Sequence, residues 1–181
     1  MIRNLSSDYK KYRKYGGNFI SILFFTQGFW AIFQYRVANS IYHLKIPVLK
    51  QFLQLICLLW QKAIEIITGI SIPASVTIGP SFYIGHFGGI IINAKAILGA
   101  NCNISQGVTI GVSGLGDKRG VPIIGNNVYI GANAVVAGKI QIADGVLIGA
   151  CSLVTADAEE GAVLVGVPAV KISNKGSREY I

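Results

Sequence analysis

Residues 124–155 read IGNNVYIGANAVVAGKIQIADGVLIGACSLVT. Cut into sixes, the stretch aligns with itself: Ile124-Gly125, Ile130-Gly131, Val136-Ala137, Ile142-Ala143, Ile148-Gly149 and Val154-Thr155 each set an aliphatic residue before a small one. Toward the N-terminus the same pair recurs at Ile78-Gly79, Ile84-Gly85, Ile92-Asn93, Leu98-Gly99, Ile104-Ser105 and Ile110-Gly111, with Ile72 ahead of them. Two breaks interrupt the series. One is two residues long at Gly88-Gly89, and the other is eight residues long within Val112–Ile123. A helix repeats every 3.6 residues and a strand every two, so neither makes a period of six. A chain wound around three flat sides does. Each hexapeptide supplies a short strand and a corner, with the aliphatic residue inside and the small residue at the bend. The expected fold is therefore mainly β, a parallel β-helix of about four coils over residues 70–172, with the loop 112–123 protruding from it.

The segment before the repeat has another period. In Phe29–Leu44 and Val48–Ile67 apolar residues return at three- and four-residue steps, which predicts two helices separated by Pro47, the second stopped by Gly69. Residues 1–69 thus form a short α-helical N-terminal segment, of which residues 1–15, polar and basic, are expected to be mobile. Residues 173–181 form a polar tail. Residues 66–94 are nearly free of charge, but Pro73, Pro80 and several glycines exclude a membrane helix. Residues 15–35 carry no charge either. Gly16, Gly17, Asn18, Gln27 and Gln34 interrupt them, so a helix packed on protein or lying in a membrane interface fits better than a spanning one.

Charge divides the chain at the same place. The net charge is +8. Residues 1–62 hold nine basic residues against Asp8 alone, whereas the remainder balances seven against seven. Such a segment suits anionic lipid or a phosphorylated ligand, or is a solvated face; no nucleic-acid partner is expected. The three cysteines, Cys57, Cys102 and Cys151, show no paired spacing and read as buried thiols of a reducing compartment. No cleavable leader is evident, which points to the cytoplasm, including the inner face of its membrane.

A β-helix can be purely structural, so function must be argued from a site. His43 reads as a helix-packing or surface residue. His86 falls in Ile84-Gly85-His86-Phe87-Gly88-Gly89, at the short break in the repeat, where a bulge flanked by glycines exposes the one imidazole of the β-region. A neutral imidazole is the natural group to take a proton from a hydroxyl near neutral pH. The insertion Ser113-Gly114-Leu115-Gly116-Asp117-Lys118-Arg119-Gly120 is glycine-rich and basic, suited to covering a phosphorylated ligand or reaching a second subunit, although surface loops tolerate length change freely. No metal is expected, because no acid clusters with His86. No Ser-His-Asp order, P-loop or dinucleotide fingerprint is present.

Taken together, the hexapeptides, the His86 bulge, the run Gln106–Gly111, the glycine-rich loop and the ending Gly166-Val167-Pro168-Ala169 resemble the bacterial hexapeptide acyltransferases. The nearest branch is that of serine acetyltransferase and the related O-acetyltransferases of capsule and exopolysaccharide pathways. Gly28-Phe29-Trp30 through Tyr35-Arg36 also resembles the last helices of that branch's N-terminal domain. The resemblance spans roughly residues 25–172. It implies a left-handed parallel β-helix, a homotrimer, and acetyl-CoA lying between adjacent prisms. It makes His86 the catalytic base toward the acceptor hydroxyl. Gly131, Ala132, Gly149 and Ala150 match small corner positions along which the pantetheine arm runs, and Gly111 is taken with them. Lys118, Arg119, Lys139 and Lys171 are candidates for the CoA phosphates on charge alone.

Departures from the branch shape the expected acceptor. The aspartate that orients the histidine in serine acetyltransferases falls on Ser71, the acid before the histidine on Gly85, and the Arg-His pair for the amino acid on Gly120 and Val121. Candidates to orient His86 are Ser71, Asn93, Asp117 or a backbone carbonyl. A zwitterion deprived of charged partners loses about 1.5–3 kcal/mol per bond. The expectation is therefore O-acetyl transfer from acetyl-CoA to a saccharide hydroxyl, a surface polysaccharide or its precursor, with peripheral membrane contact through the N-terminal helices. The alternatives are serine O-acetylation in cysteine biosynthesis and a non-enzymatic β-helix scaffold.

Overall fold

The computed structural model describes residues 1–181. The hexapeptides stack into three parallel sheets that wall a prism. Face 1 holds Ile70–Ser71, Ile90–Ile92, Thr109–Gly111, Val135–Ala137 and Leu153–Val154. Face 2 holds Thr77–Ile78, Ile97–Leu98, Ile123–Ile124 and Gln141–Ile142. Face 3 holds Tyr83–Ile84, Asn103–Ile104, Tyr129–Ile130, Leu147–Ile148 and Val163–Gly166, and Ala169–Ser173 closes it antiparallel to Val163–Gly166. The register follows the repeat: Ile84 pairs with Ile104, Ile104 with Ile130, and Ile130 with Ile148. These aliphatic positions are all buried and merge into one continuous core, each worth about 1.5–3 kcal/mol on removal from water. Several corners are left-handed, at Asn101, Asn127, Asn133 and Cys151 as well as at glycines.

A prism of stacked strands leaves an open edge at its first coil. Four helices cover it: α1 (Ile2–Lys14), α2 (Phe19–Phe25), α3 (Gln27–Tyr42) and α4 (Pro47–Thr68). Pro47 opens α4, and Gly69 ends it in the left-handed region at φ 66°. The hydroxyl of Tyr12 donates to Ile84 O at 2.9 Å and accepts from Ile84 N at 3.2 Å. Tyr35 serves the preceding strand, Thr77–Ile78, likewise, donating to Val76 O at 2.8 Å and accepting from Ile78 N at 3.2 Å. Each tyrosine thus stands in for the strand that the first coil lacks. Asp8 and Arg36, both buried, form an ion pair at 2.8 Å. Asp8 Oδ1 also accepts from Phe82 N, and Arg36 donates to Ile78 O and Gly79 O. Burial raises the Asp8 carboxyl above its usual range, against the opposing pull of Arg36.

Two expectations are corrected here. Residues 1–15 are not mobile but form α1 packed on the prism, with Tyr12, Asp8 and Lys11 all buried and Lys11 Nζ donating to Asn101 Oδ1 at 2.6 Å. Nor are all three thiols buried. Cys57 and Cys102 are, but Cys151 sits exposed on a left-handed corner. The C-terminal tail folds back along the prism. Ser177 N donates to Gly145 O, and Tyr180 O accepts from Asn103 Nδ2 at 2.9 Å and from the Tyr15 hydroxyl.

Candidate active site

His86 stands at the corner between faces 3 and 1, immediately beyond Tyr83–Ile84, and its ring is exposed. The extra residues Gly88 and Gly89 have φ of 100° and 67°, so the chain swings outward there. That bulge is fixed from both sides. Gly88 N donates to Thr68 O of α4 at 2.9 Å, and Gly88 O accepts from Gly107 N of the next coil at 2.8 Å. A Cβ on Gly69 would come within 3.1 Å of Gly88 Cα, so the helix end and the bulge touch backbone to backbone. His86 therefore projects from a rigid turn.

The same edge continues as a column of small residues. Ser105-Gln106-Gly107, Gly131-Ala132-Asn133 and Gly149-Ala150-Cys151 lie one above another, joined by Asn133 N to Gln106 O at 2.9 Å and Cys151 N to Ala132 O at 2.8 Å. A Cβ on Gly131 would lie 2.6 Å from Ala150 N, which the stacking does not permit. The structure thus brings Gly131, Ala132, Gly149 and Ala150 onto the edge that carries His86. It is uncharged and narrow, with shallow side chains.

The remaining candidates lie elsewhere on the same chain. Gly111 ends its strand on face 1 and leads into the insertion, accepting at its carbonyl from Gly138 N at 3.3 Å. The insertion rises from the corner between faces 1 and 2. It is closed at its base by Ser113 and Gly120, which exchange backbone hydrogen bonds, and carries Leu115 at its tip, 88% exposed. Asp117, Lys118 and Arg119 occupy it, and Lys139 from the corner beneath donates to Asp117 O at 3.3 Å. Asn93 belongs to this corner as well, where its Oδ1 accepts from Lys95 N at 3.0 Å. Lys171 lies on the closing strand of face 3, paired with Glu159 at 2.6 Å. Face 1 separates the basic insertion from the His86 edge, so one chain alone does not bring its cationic and thioester-lining candidates together.

Ser71 is the orienting candidate on face 1, in the strand that follows the Gly69 contact with the bulge. Its Oγ donates to Glu65 Oε1 at 2.8 Å. Glu65 also accepts from Gln61 at 2.8 Å and Lys62 at 2.6 Å. Partial burial raises the Glu65 carboxyl, but the hydrogen bonds of Lys62, Ser71 and Gln61 outweigh it and hold the group below the usual range. Sequence reasoning missed Glu65. The signal was there, since Glu65 is the one acid in the whole of α4.

Comparison with known proteins now narrows the reading. The bacterial transferase hexapeptide family (six repeats) matches residues 122–156. Serine acetyltransferase of Synechococcus elongatus is 35% identical over 161 residues, which cover 89% of this chain and 63% of that protein. Its counterpart in Staphylococcus aureus is 34% identical over 153 residues, 83% of this chain and 68% of that protein. Among solved structures, a serine acetyltransferase in complex with CoA superposes with a TM-score of 0.80 at 26% identity over 94% of this chain and 69% of the other. The Neisseria gonorrhoeae enzyme in complex with serine gives 0.78 at 30% identity, over 95% and 69%. The two solved structures share with this chain the left-handed parallel β-helix and the helical part before it.

These relatives overturn the expectation of a saccharide acceptor, because they are named for serine. That expectation rested on Ser71, Gly85, Gly120 and Val121, where the branch's charged residues are missing. Charges do stand next to Gly120 and Val121 in the chain, at Asp117, Lys118 and Arg119. Through its repeat, its helices and relatives at this level of identity, the chain belongs to the serine acetyltransferase family of hexapeptide transferases.

Proposed function

We propose that the chain transfers the acetyl group of acetyl-CoA to the hydroxyl of serine, with His86 as general base. The observation that carries this reading is the position of the exposed His86 ring, on a rigid bulge at the head of an edge of small residues. The pantetheine arm runs along Gly131, Ala132, Gly149 and Ala150, where backbone amides are within reach. As the serine hydroxyl attacks the thioester carbonyl, His86 takes its proton. The new C–O bond forms, the C–S bond breaks, and the proton passes from His86 to the departing CoA thiolate.

The cationic loop makes the case for assembly. Lys118, Arg119 and Lys139 suit the CoA phosphates but lie on another corner than His86. Packing prisms side by side as a homotrimer joins the His86 edge of one copy to the loop edge of the next, and builds each site between two subunits. No helix of the chain is long and apolar enough to cross a membrane.

The test is thiol release from acetyl-CoA with L-serine as acceptor. Serine-dependent release that saturates, with O-acetylserine as product, is expected; release that is indifferent to serine would overturn the acceptor.

A further inference from the structure

Helix α4 leaves many of its apolar residues in solvent. Its less exposed side mixes Gln54, Gln61, Glu65 and Thr68 with Leu53, Cys57, Trp60 and Ile64. Its outward side carries Val48, Phe52, Leu55, Leu59 and Ile66, all exposed, with Val48 at 80% and Ile66 at 84%. From Val48 to Leu59 these positions recur every three or four residues along one side of the helix, and Ile66 follows two turns further on. The stripe does not stand alone. Trp60 of α4 packs edge-on against Phe33 of α3 at 5.9 Å, and Phe33 borders an apolar groove that Phe19 and Leu23 of α2 share with α1. On α2, Phe24 and Phe25 are exposed too. An apolar surface of this extent on a monomer marks a binding face.

Charge selects the partner. Arg3, Lys10 and Arg13 of α1 and Lys45 ahead of α4 are exposed on the same helical segment. Arg13 lines the same hollow as Phe19, Ile20 and Phe25, and Lys45 lies just ahead of α4. Neither acid of the helical segment is free: Asp8 is buried against Arg36, and Glu65 is bonded to Lys62 and Ser71. Two copies meeting through this face would set cation against cation, whereas an anionic lipid surface receives both the apolar stripe and its basic surround. The outward side of α4 lies along the protein surface over its full 22 residues, the geometry of a helix lying in an interface.

We infer that the apolar face formed by α4, Phe33 and α2 docks onto a membrane surface bearing anionic headgroups. The chain then acts as a peripheral protein, held without a spanning segment, its β-helix projecting from the lipid.

Vesicle flotation of the full chain tests this. Vesicles of phosphatidylcholine with phosphatidylglycerol are expected to carry the protein up the gradient, and pure phosphatidylcholine to carry far less. The double variant Phe52→Glu/Leu59→Glu changes two exposed positions, so circular dichroism and the melting temperature should match the parent while the bound fraction falls. Charge reversal by Lys45→Glu with Arg13→Glu should lower it about tenfold or more. The inference is overturned if the parent stays at the bottom of both gradients, or if Phe52→Glu/Leu59→Glu floats as well as the parent. It is equally overturned if that variant floats unchanged but sediments as a smaller species, which would assign the face to a second copy.

Discussion

Ser71 Oγ and Glu65 Oε1 are joined across 2.8 Å, tying the first strand of face 1 to the last turn of α4. The junction also holds the backbone contact between Gly69 and Gly88, two residues beyond His86. A carboxylate held below its usual range is therefore fixed at the junction of α4 and face 1, the junction that also touches the bulge carrying His86.

Glu65 should act as a positioning residue. Glu65→Gln is expected to lower kcat on the order of tenfold, leave KM for acetyl-CoA unchanged, and move the acid limb of the pH–rate profile. Glu65→Asp should restore part of the loss. An unchanged pH profile in Glu65→Gln would reduce Glu65 to a purely structural role.

Basic residues on the insertion should bind cofactor phosphates. Lys118→Glu with Arg119→Glu is expected to raise KM for acetyl-CoA about tenfold or more, because a hydrogen bond to a charged group contributes about 1.5–3 kcal/mol. KM for serine, measured at saturating acetyl-CoA, should change much less.

The tyrosine caps set an alkaline limit to stability. Burial pushes the Tyr35 hydroxyl up to about 12 from an ordinary 10.0, and that of Tyr12 upward as well. The unfolded chain loses these protons first, so the stabilisation is complete below pH 10 and declines as pH rises toward 12. Burial lowers Lys11 to about 8 and gives an opposite slope between 8 and 10.5, so the decline should be read above that range. Tyr35→Phe should lower stability by about 1–3 kcal/mol by leaving Ile78 N unpaired and Val76 O with Asn39 as its remaining side-chain donor, and should flatten the alkaline decline.

The buried ion pair clamps helices to prism. Asp8→Asn or Arg36→Met leaves one buried charge unpaired and is expected to cost about 3–5 kcal/mol in chemical unfolding. A loss below about 1 kcal/mol would show that the pair is not what holds α1.

The prism was legible because a six-residue period has few physical explanations, and His86 stood out because the repeat broke around it. The small edge from Gly131 to Ala150 came from the resemblance to the hexapeptide acyltransferases. What escaped detection came from contacts distant in sequence. Nothing local marks Tyr12 and Tyr35 as substitutes for a missing strand, since their partners lie 72 and 41 residues away. The polar start of the chain read as mobile because Asp8 finds its partner, Arg36, only in the folded state. Asn93 and Asp117 were grouped with His86 although they occupy another corner, since a period does not show which corners face one another. The acceptor was misjudged because the missing charges at Ser71, Gly85, Gly120 and Val121 were weighed without Asp117, Lys118 and Arg119 next to them in the chain.

The central claim rests on the exposed imidazole, and His86→Ala tests it most directly. Turnover of acetyl-CoA with serine should fall on the order of 10²–10⁴-fold, with the melting temperature unchanged because the ring is exposed. Turnover equal to that of the parent protein would contradict the account and leave the prism as a scaffold.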